Sequence, residues 1–293
     1  MVLSTAVRDA GGTPESVEQF LQVLKQTGFQ YISFNFPEIQ NLLSGDCITD
    51  DEIIELLGNS GFKMDLAHGP MDNPIVFPEY NSNIARNITE QRIKRVIKIC
   101  SQLKIKWLVL HIGTYIDANG QFDLHKSVAS NAAYLNDIVA TAADQEVGIA
   151  IENGTNMLQE VHPQPQELIA LCDLFNEKYQ REVMGICFDF GHANIGGLDI
   201  PQAIKEVGQH LKVTHLHDND GLYDYHRLPF RGKIDWPKAM RALGEIDFKG
   251  ELSLEVECDD INAKTGDKDF LCASYSVLQR LAKMIETSSR LEG

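Results

Sequence analysis

Short apolar runs rich in β-branched residues alternate about eight times along the chain with helix-length segments that carry charged faces. That order implies parallel strands joined by crossover helices. The runs expected as strands are Val2–Ala6, Phe29–Phe34, Phe62–Ala67, Trp107–His111, Gly148–Glu152, Gly185–Phe190, Val213–His217 and Glu251–Glu255. Between them, helical periodicity and start signals predict helices over Pro14–Thr27, Asp50–Ser60, Asn81–Leu103, His125–Gln145, Gln166–Tyr179, Pro201–Val207, Trp236–Leu243 and Lys268–Glu286. Eight of each fits an α/β fold, a single (β/α)8 TIM barrel over residues 1–293. The competing architecture is an open doubly wound sheet, which announces a nucleotide site by a glycine-rich turn after its first strand. Ala10-Gly11-Gly12 follows the first strand, but neither GxGxxG nor GxxxxGK(S/T) is present.

A chain of 293 residues that is 43% hydrophobic can bury one large core. No basic segment precedes an apolar run at the N-terminus, and no stretch is apolar for about 18 residues, so a cytoplasmic protein without membrane contact is expected. The cysteines Cys47, Cys100, Cys172, Cys187, Cys258 and Cys272 lack CxxC spacing, which argues against a disulfide framework or a thiolate zinc cluster. A formal charge of −16 repels polyanions at long range and disfavours nucleic acid as a partner.

Histidine and carboxylate residues fall at the ends of the expected strands: His68 at the third, His111 at the fourth, Glu152 at the fifth, Asp189 at the sixth, His217 at the seventh and Glu255 at the eighth. In a barrel these ends converge on one mouth, where active sites of this fold lie. Three carboxylates buried together would cost several kcal/mol by repulsion and desolvation unless a positive charge sat between them, and a divalent cation supplies it. Oxygen ligands with an imidazole suit manganese, magnesium, cobalt or zinc, with manganese or zinc preferred. Beyond the strand ends, His192 follows the sixth strand, and Asp224 and His226 lie in the loop after the seventh. Glu257 competes with Glu255, while His215 shares parity with His217 but sits deeper, as a supporting or core residue.

Read together, Ala67-His68-Gly69-Pro70, Leu110-His111-Ile112-Gly113, Ile151-Glu152-Asn153, Phe188-Asp189-Phe190-Gly191-His192-Ala193, His215-Leu216-His217-Asp218-Asn219, Gly232-Lys233-Ile234-Asp235-Trp236 and Leu254-Glu255 resemble the xylose-isomerase-like TIM barrels. That superfamily holds sugar isomerases, sugar 3-epimerases, inosose dehydratases and endonuclease-IV-like nucleases. In the isomerase and epimerase branch, the resemblance implies metal ligands at Glu152, Asp189, His217 and Glu255, with His192 beside the substrate. It also implies Glu152 and Glu255 as catalytic acid and base on opposite faces of a sugar. A proton next to a carbonyl then leaves through a metal-bound enediolate, because the cation stabilises the charge that develops.

His68, His111, Asp224 and His226 equally match the additional ligands by which endonuclease-IV-like enzymes hold three zinc ions. The negative charge and the scarcity of Arg and Lys clusters around the mouth weigh against that alternative. A keto-sugar dehydratase, lyase or deglycosidase subunit is a further alternative on the same scaffold, since it would begin with the same proton abstraction. Phe230 and Arg231 depart from the small residues usual in the loop after the seventh strand, and Arg227, Arg231 and Lys233 are candidates for holding a carboxylate or phosphate. The expected partner is a small sugar or sugar derivative, with homo-oligomerisation left open.

Overall fold

The computed structural model describes residues 1–7, 13–35, 49–70, 83–115, 119, 122–154, 163–258 and 264–289. The chain opens with β1 (Val2–Ala6), α1 (Pro14–Leu24), β2 (Tyr31–Asn35), α2 (Asp50–Gly58) and β3 (Lys63–His68). It continues through α3 (Asn83–Leu103), β4 (Trp107–His111), α4 (Leu124–Asp144), β5 (Gly148–Glu152) and α5 (Pro165–Tyr179). Then come β6 (Met184–Asp189), α6 (Phe190–Ile195), α7 (Ile200–Val207), β7 (Leu211–Leu216), α8 (Trp236–Glu245), β8 (Glu251–Leu254) and α9 (Lys268–Ser289). Local chemistry sets the helix starts. Thr13 and Thr49 close capping boxes ahead of α1 and α2, and a proline occupies the first turn of α1, α5, α7 and α8, where its missing N–H costs no hydrogen bond.

Every strand pairs in parallel with its sequence neighbour, and β1 pairs with β8, so the sheet closes into the expected (β/α)8 barrel and the open-sheet alternative is ruled out. Two boundaries differ from expectation in ways that matter for the mouth. Phe190 opens α6 instead of ending β6, because the Asp189 side chain accepts from the His192 N–H and caps that helix. Strand β7 starts earlier, at Leu211, and ends at Leu216, so His217 lies beyond it.

Alternation divides the strands' side chains between two compartments. Ile149 and Ile151 of β5, Ile186 and Phe188 of β6, and Leu252 and Leu254 of β8 face the helices in the main core. Their neighbours Leu66, Val109, Ala150, Cys187 and Val213 pack against one another inside the barrel, with Trp107 beside them. A Cβ at Gly148 would overlap the Trp107 ring, so only glycine lets β5 pass the indole. Above this apolar layer the next inward positions are Glu152, Asp189 and His215, which the strand period of two aims at the mouth. Among the described residues no helix is long and apolar enough to cross a membrane.

Candidate metal centre

Strand register brings the polar side chains together at one height. His111 pairs with Glu152, and Asp189 pairs with His215, so residues far apart in sequence become lateral neighbours. Nδ1 of His215 lies 2.9 Å from Oε1 of Glu152, 3.5 Å from Oε2 of Glu255 and 3.9 Å from Oδ2 of Asp189. One ligand atom from each of Glu152, Asp189, His215 and Glu255 falls within 4.8 Å of the other three, and all four residues are buried.

Two further groups adjoin this one. His68 and His111 place Nε2 at 3.3 Å and 2.9 Å from Oε2 of Glu152. Nδ1 of His68 sits 2.8 Å from the Gly69 carbonyl oxygen, a contact favourable only when Nδ1 carries a proton, and it turns Nε2 toward Glu152. On the other side, His192, His217, Asp224 and His226 form a third group. Oδ2 of Asp224 is 3.2 Å from Nε2 of both His192 and His226, and the His217 and His226 rings stack with centroids 4.0 Å apart. His226 donates from Nδ1 to the Glu255 carbonyl at 2.8 Å, which turns its Nε2 toward Asp224. Gly191 makes room for this group, because a Cβ there would overlap the His217 imidazole.

The charges are strongly coupled. Burial pushes the Glu152 carboxyl up, but the His215 and His111 imidazoles outweigh it and hold the group well below the usual carboxylate range. Burial lowers His215, yet the Glu152 and Glu255 carboxylates beside it hold it well above an ordinary imidazole. His192 is raised to about 10, its burial outweighed by Asp189, Asp224 and Glu152. Asp224, also buried, is held far below the carboxylate range by hydrogen bonds from His192 and His226. Cys187 lies against Glu152 and His215, but burial pushes its thiol up to about 12, so it stays neutral and makes a poor ligand.

These residues fit a divalent cation. Nδ1 of His192, Nδ1 of His217 and Oδ1 of Asp224 are buried with no hydrogen-bond partner, in a site dense with carboxylates. Buried polar atoms are rarely left so, and a bound cation answers both the orphaned lone pairs and the repulsion. Of the four ligands expected from the sequence, Glu152, Asp189 and Glu255 stand together. The imidazole among them is His215, whereas His217 stands with the third group, its Nε2 still 3.0 Å from Oδ1 of Asp189. His68, His111, His192, Asp224 and His226 all line the same mouth. Arg231 is exposed and belongs to none of the three groups. The loops that leave the mouth-side ends of β2, β3, β4 and β5, residues 35–44, 70–80, 114–123 and 153–163, are where a substrate would meet the barrel, and much of them lies outside the described residues.

Two supporting residues had no role in the sequence reading. Asn153 clamps the end of β6: its amide oxygen accepts from the Asp189 N–H and its amide nitrogen donates to the Asp189 carbonyl, both at 2.8 Å. Asp218 organises the loop after β7, accepting from the N–H groups of Asn219, Phe230 and Ile234 and from the Trp236 indole at 2.8 Å. The available signal was their position, each immediately following a candidate ligand at a strand end.

A closed eight-stranded parallel barrel with a buried histidine and carboxylate mouth defines a TIM barrel protein with a candidate metal centre. Within that class, the chain belongs to the xylose isomerase-like TIM barrel family, whose sequence model matches residues 16–272. A crystal structure of a D-tagatose 3-epimerase-like protein superposes with a TM-score of 0.74 at 21% identity, covering 98% of this chain and 99% of that one. An uncharacterized protein of Methanocaldococcus jannaschii is 27% identical over 210 residues, 70% of this chain and 69% of its own length. A probable endonuclease 4 of Methanoculleus marisnigri is 28% identical over 136 residues, 43% of this chain and 46% of its own.

Proposed function

We propose that the protein is a metal-dependent isomerase or epimerase of a sugar or sugar derivative, with Glu152 and Glu255 moving a proton at a carbon next to a carbonyl. The observation that carries this reading is the convergence of both glutamates with Asp189 and His215 in one buried group. Those four residues would hold the cation, and it would supply Lewis acidity to a substrate carbonyl, lowering the cost of the negative charge that develops when the proton leaves. Glu152, held ionised by its imidazole neighbours, is available as a base at neutral pH. Glu255 follows β8, three strands from β5 around the ring, so its carboxylate reaches the mouth from a different direction. Two carboxylates arriving from different sides allow removal of a proton on one face and its return on the other. His192, beside Glu152 at 3.6 Å, is placed to hold a hydroxyl of the bound sugar.

The test is exchange of a carbon-bound hydrogen of candidate ketoses in deuterated water. Exchange that requires metal and vanishes in both Glu152→Gln and Glu255→Gln supports the pair. Absence of exchange with every keto-sugar, together with cleavage of abasic oligonucleotide, would sink it.

Phosphodiester hydrolysis is the second reading, favoured by one specific observation: several overlapping ligand groups share the mouth, linked through Glu152 and His215 and through the Asp189–His217 contact. Several ions there could polarise a phosphate and activate water together. The net charge of −16 works against a polyanionic substrate, which places this reading second.

A further inference from the structure

Beneath the mouth the barrel interior holds a second polar group, which reaches from Glu251 at the start of β8 up to Ser253, the register neighbour of His215. Glu251 is the first residue of β8, and Leu252 and Leu254 face the helix layer, so alternation turns Glu251 and Ser253 into the barrel. Register places Val2 beside Glu251 and Ser4 beside Ser253, which sets the two serine hydroxyls on adjoining strands. Glu251 is 3% exposed and both serines 0%. By hydrogen-bond geometry neither carboxylate oxygen of Glu251 is partnered, nor is the Ser253 hydroxyl, while the Ser4 hydroxyl lies near enough to act on the carboxyl as a donor. The charged groups that influence the carboxyl are Asp65, His215 and Lys106, and the Lys106 amine is committed to Asp65 at 2.8 Å.

We propose that Glu251, Ser4 and Ser253 bind a monovalent alkali cation at the base of the barrel. Four buried oxygens from these three residues, without nitrogen or sulfur, make a hard donor set of the kind alkali and alkaline-earth ions take. A single carboxylate neutralises one positive charge, so a divalent ion would remain uncompensated in a buried setting. Burial pushes the carboxyl up to about 7, so without a cation it is partly protonated at neutral pH, and binding an ion displaces that proton.

Thermal unfolding of the full chain in sodium, potassium and choline chloride at equal ionic strength reads the site. Sodium or potassium should raise Tm over choline by about 2–5 °C, as expected for a ligand well above its Kd that binds only the folded state. Glu251→Gln should remove that difference and Ser253→Ala should shrink it. Thallium(I) soaked into crystals of the unaltered protein decides the case even if Glu251→Gln fails to fold: a peak against Glu251, Ser4 and Ser253 supports the site. A Tm independent of the cation, or a barrel base free of thallium, overturns it and leaves a neutral carboxyl in that position.

Discussion

Nδ1 of His215 stands 2.9 Å from Oε1 of Glu152, although β7 and β5 are separated by β6 and the two residues lie 63 positions apart in sequence. The pair sets the charge state of the whole mouth. Each partner favours the charged form of the other, and both are pulled out of water where an unpaired charge would be costly.

Binding of a divalent cation should therefore expel protons. The pKa of His215 is raised well above its ordinary value, so in the metal-free protein at neutral pH the imidazole carries a proton that a ligating nitrogen cannot keep. Apparent metal affinity should rise with pH, by up to about tenfold per unit for each proton released. Calorimetric titration in buffers of different ionisation enthalpy measures the release. A binding enthalpy indifferent to the buffer would contradict it.

Replacing ligands one at a time should separate the two imidazoles of β7 and its loop. Glu152→Gln, Asp189→Asn, His215→Ala and Glu255→Gln should each weaken the first cation by about 100-fold or more, since changing a residue that merely hydrogen-bonds a ligand often costs about 10–100-fold. His217→Ala should leave that cation bound and disturb the group around Asp224. Elemental analysis of the purified variants distinguishes them, and a His217→Ala protein devoid of metal would return His217 to the first cation.

Gly191→Ala should damage the mouth through His217 without altering a ligand. Its added methyl overlaps the imidazole, and the ring can yield only by breaking its stack on His226. Overpacking of this kind costs about 1–3 kcal/mol. Urea unfolding reads the loss, and unaltered stability with full activity would show that the ring moves freely.

Asp218→Ala should unpin the loop that carries Asp224 and His226. It strands three backbone N–H groups and the Trp236 indole, all served by one carboxylate. The expected loss is about 3–5 kcal/mol of stability, with activity falling further as Asp224 loses its position. Hydrogen exchange confined to the Phe230–Ile234 amides would be the local signature, and unchanged protection there would count against the hub.

Stability in a medium free of alkali cations should fall as pH rises from about 4.5 toward 7, because of Glu251. Its folded pKa, about 7, lies above its ordinary value of 4.5, so in that window the native state binds the extra proton and loses relative stability as the proton leaves. The decline is about 3 kcal/mol, complete above pH 7, and absent below 4.5. Glu251→Gln should flatten that part of the profile measured by denaturant unfolding. Parallel profiles for the two proteins would show that Glu251 titrates normally.

The sequence by itself determined the barrel, and it singled out most of the histidines and carboxylates that gather at its mouth. Alternation of β-rich runs with capped helical segments is a local signal, and it located all eight strands to within two residues at either end. The apolar run Ile149-Ala150-Ile151 ending on Glu152 likewise carried its own warrant, because a carboxylate closing a buried strand needs a compensating partner. Which imidazole joins Glu152, Asp189 and Glu255 was decided only by tertiary structure. His215 and His217 share a face of the chain, and parity cannot rank them. Closure of the sheet sets how far β7 rises against β6, and that register pairs Asp189 with His215 and leaves His217 above the strand's end. The overlapping ligand groups of the mouth and the burial of Glu251 beside Ser4 and Ser253 have the same origin: they depend on contacts across the ring, between strands whose relative height no single stretch of sequence encodes.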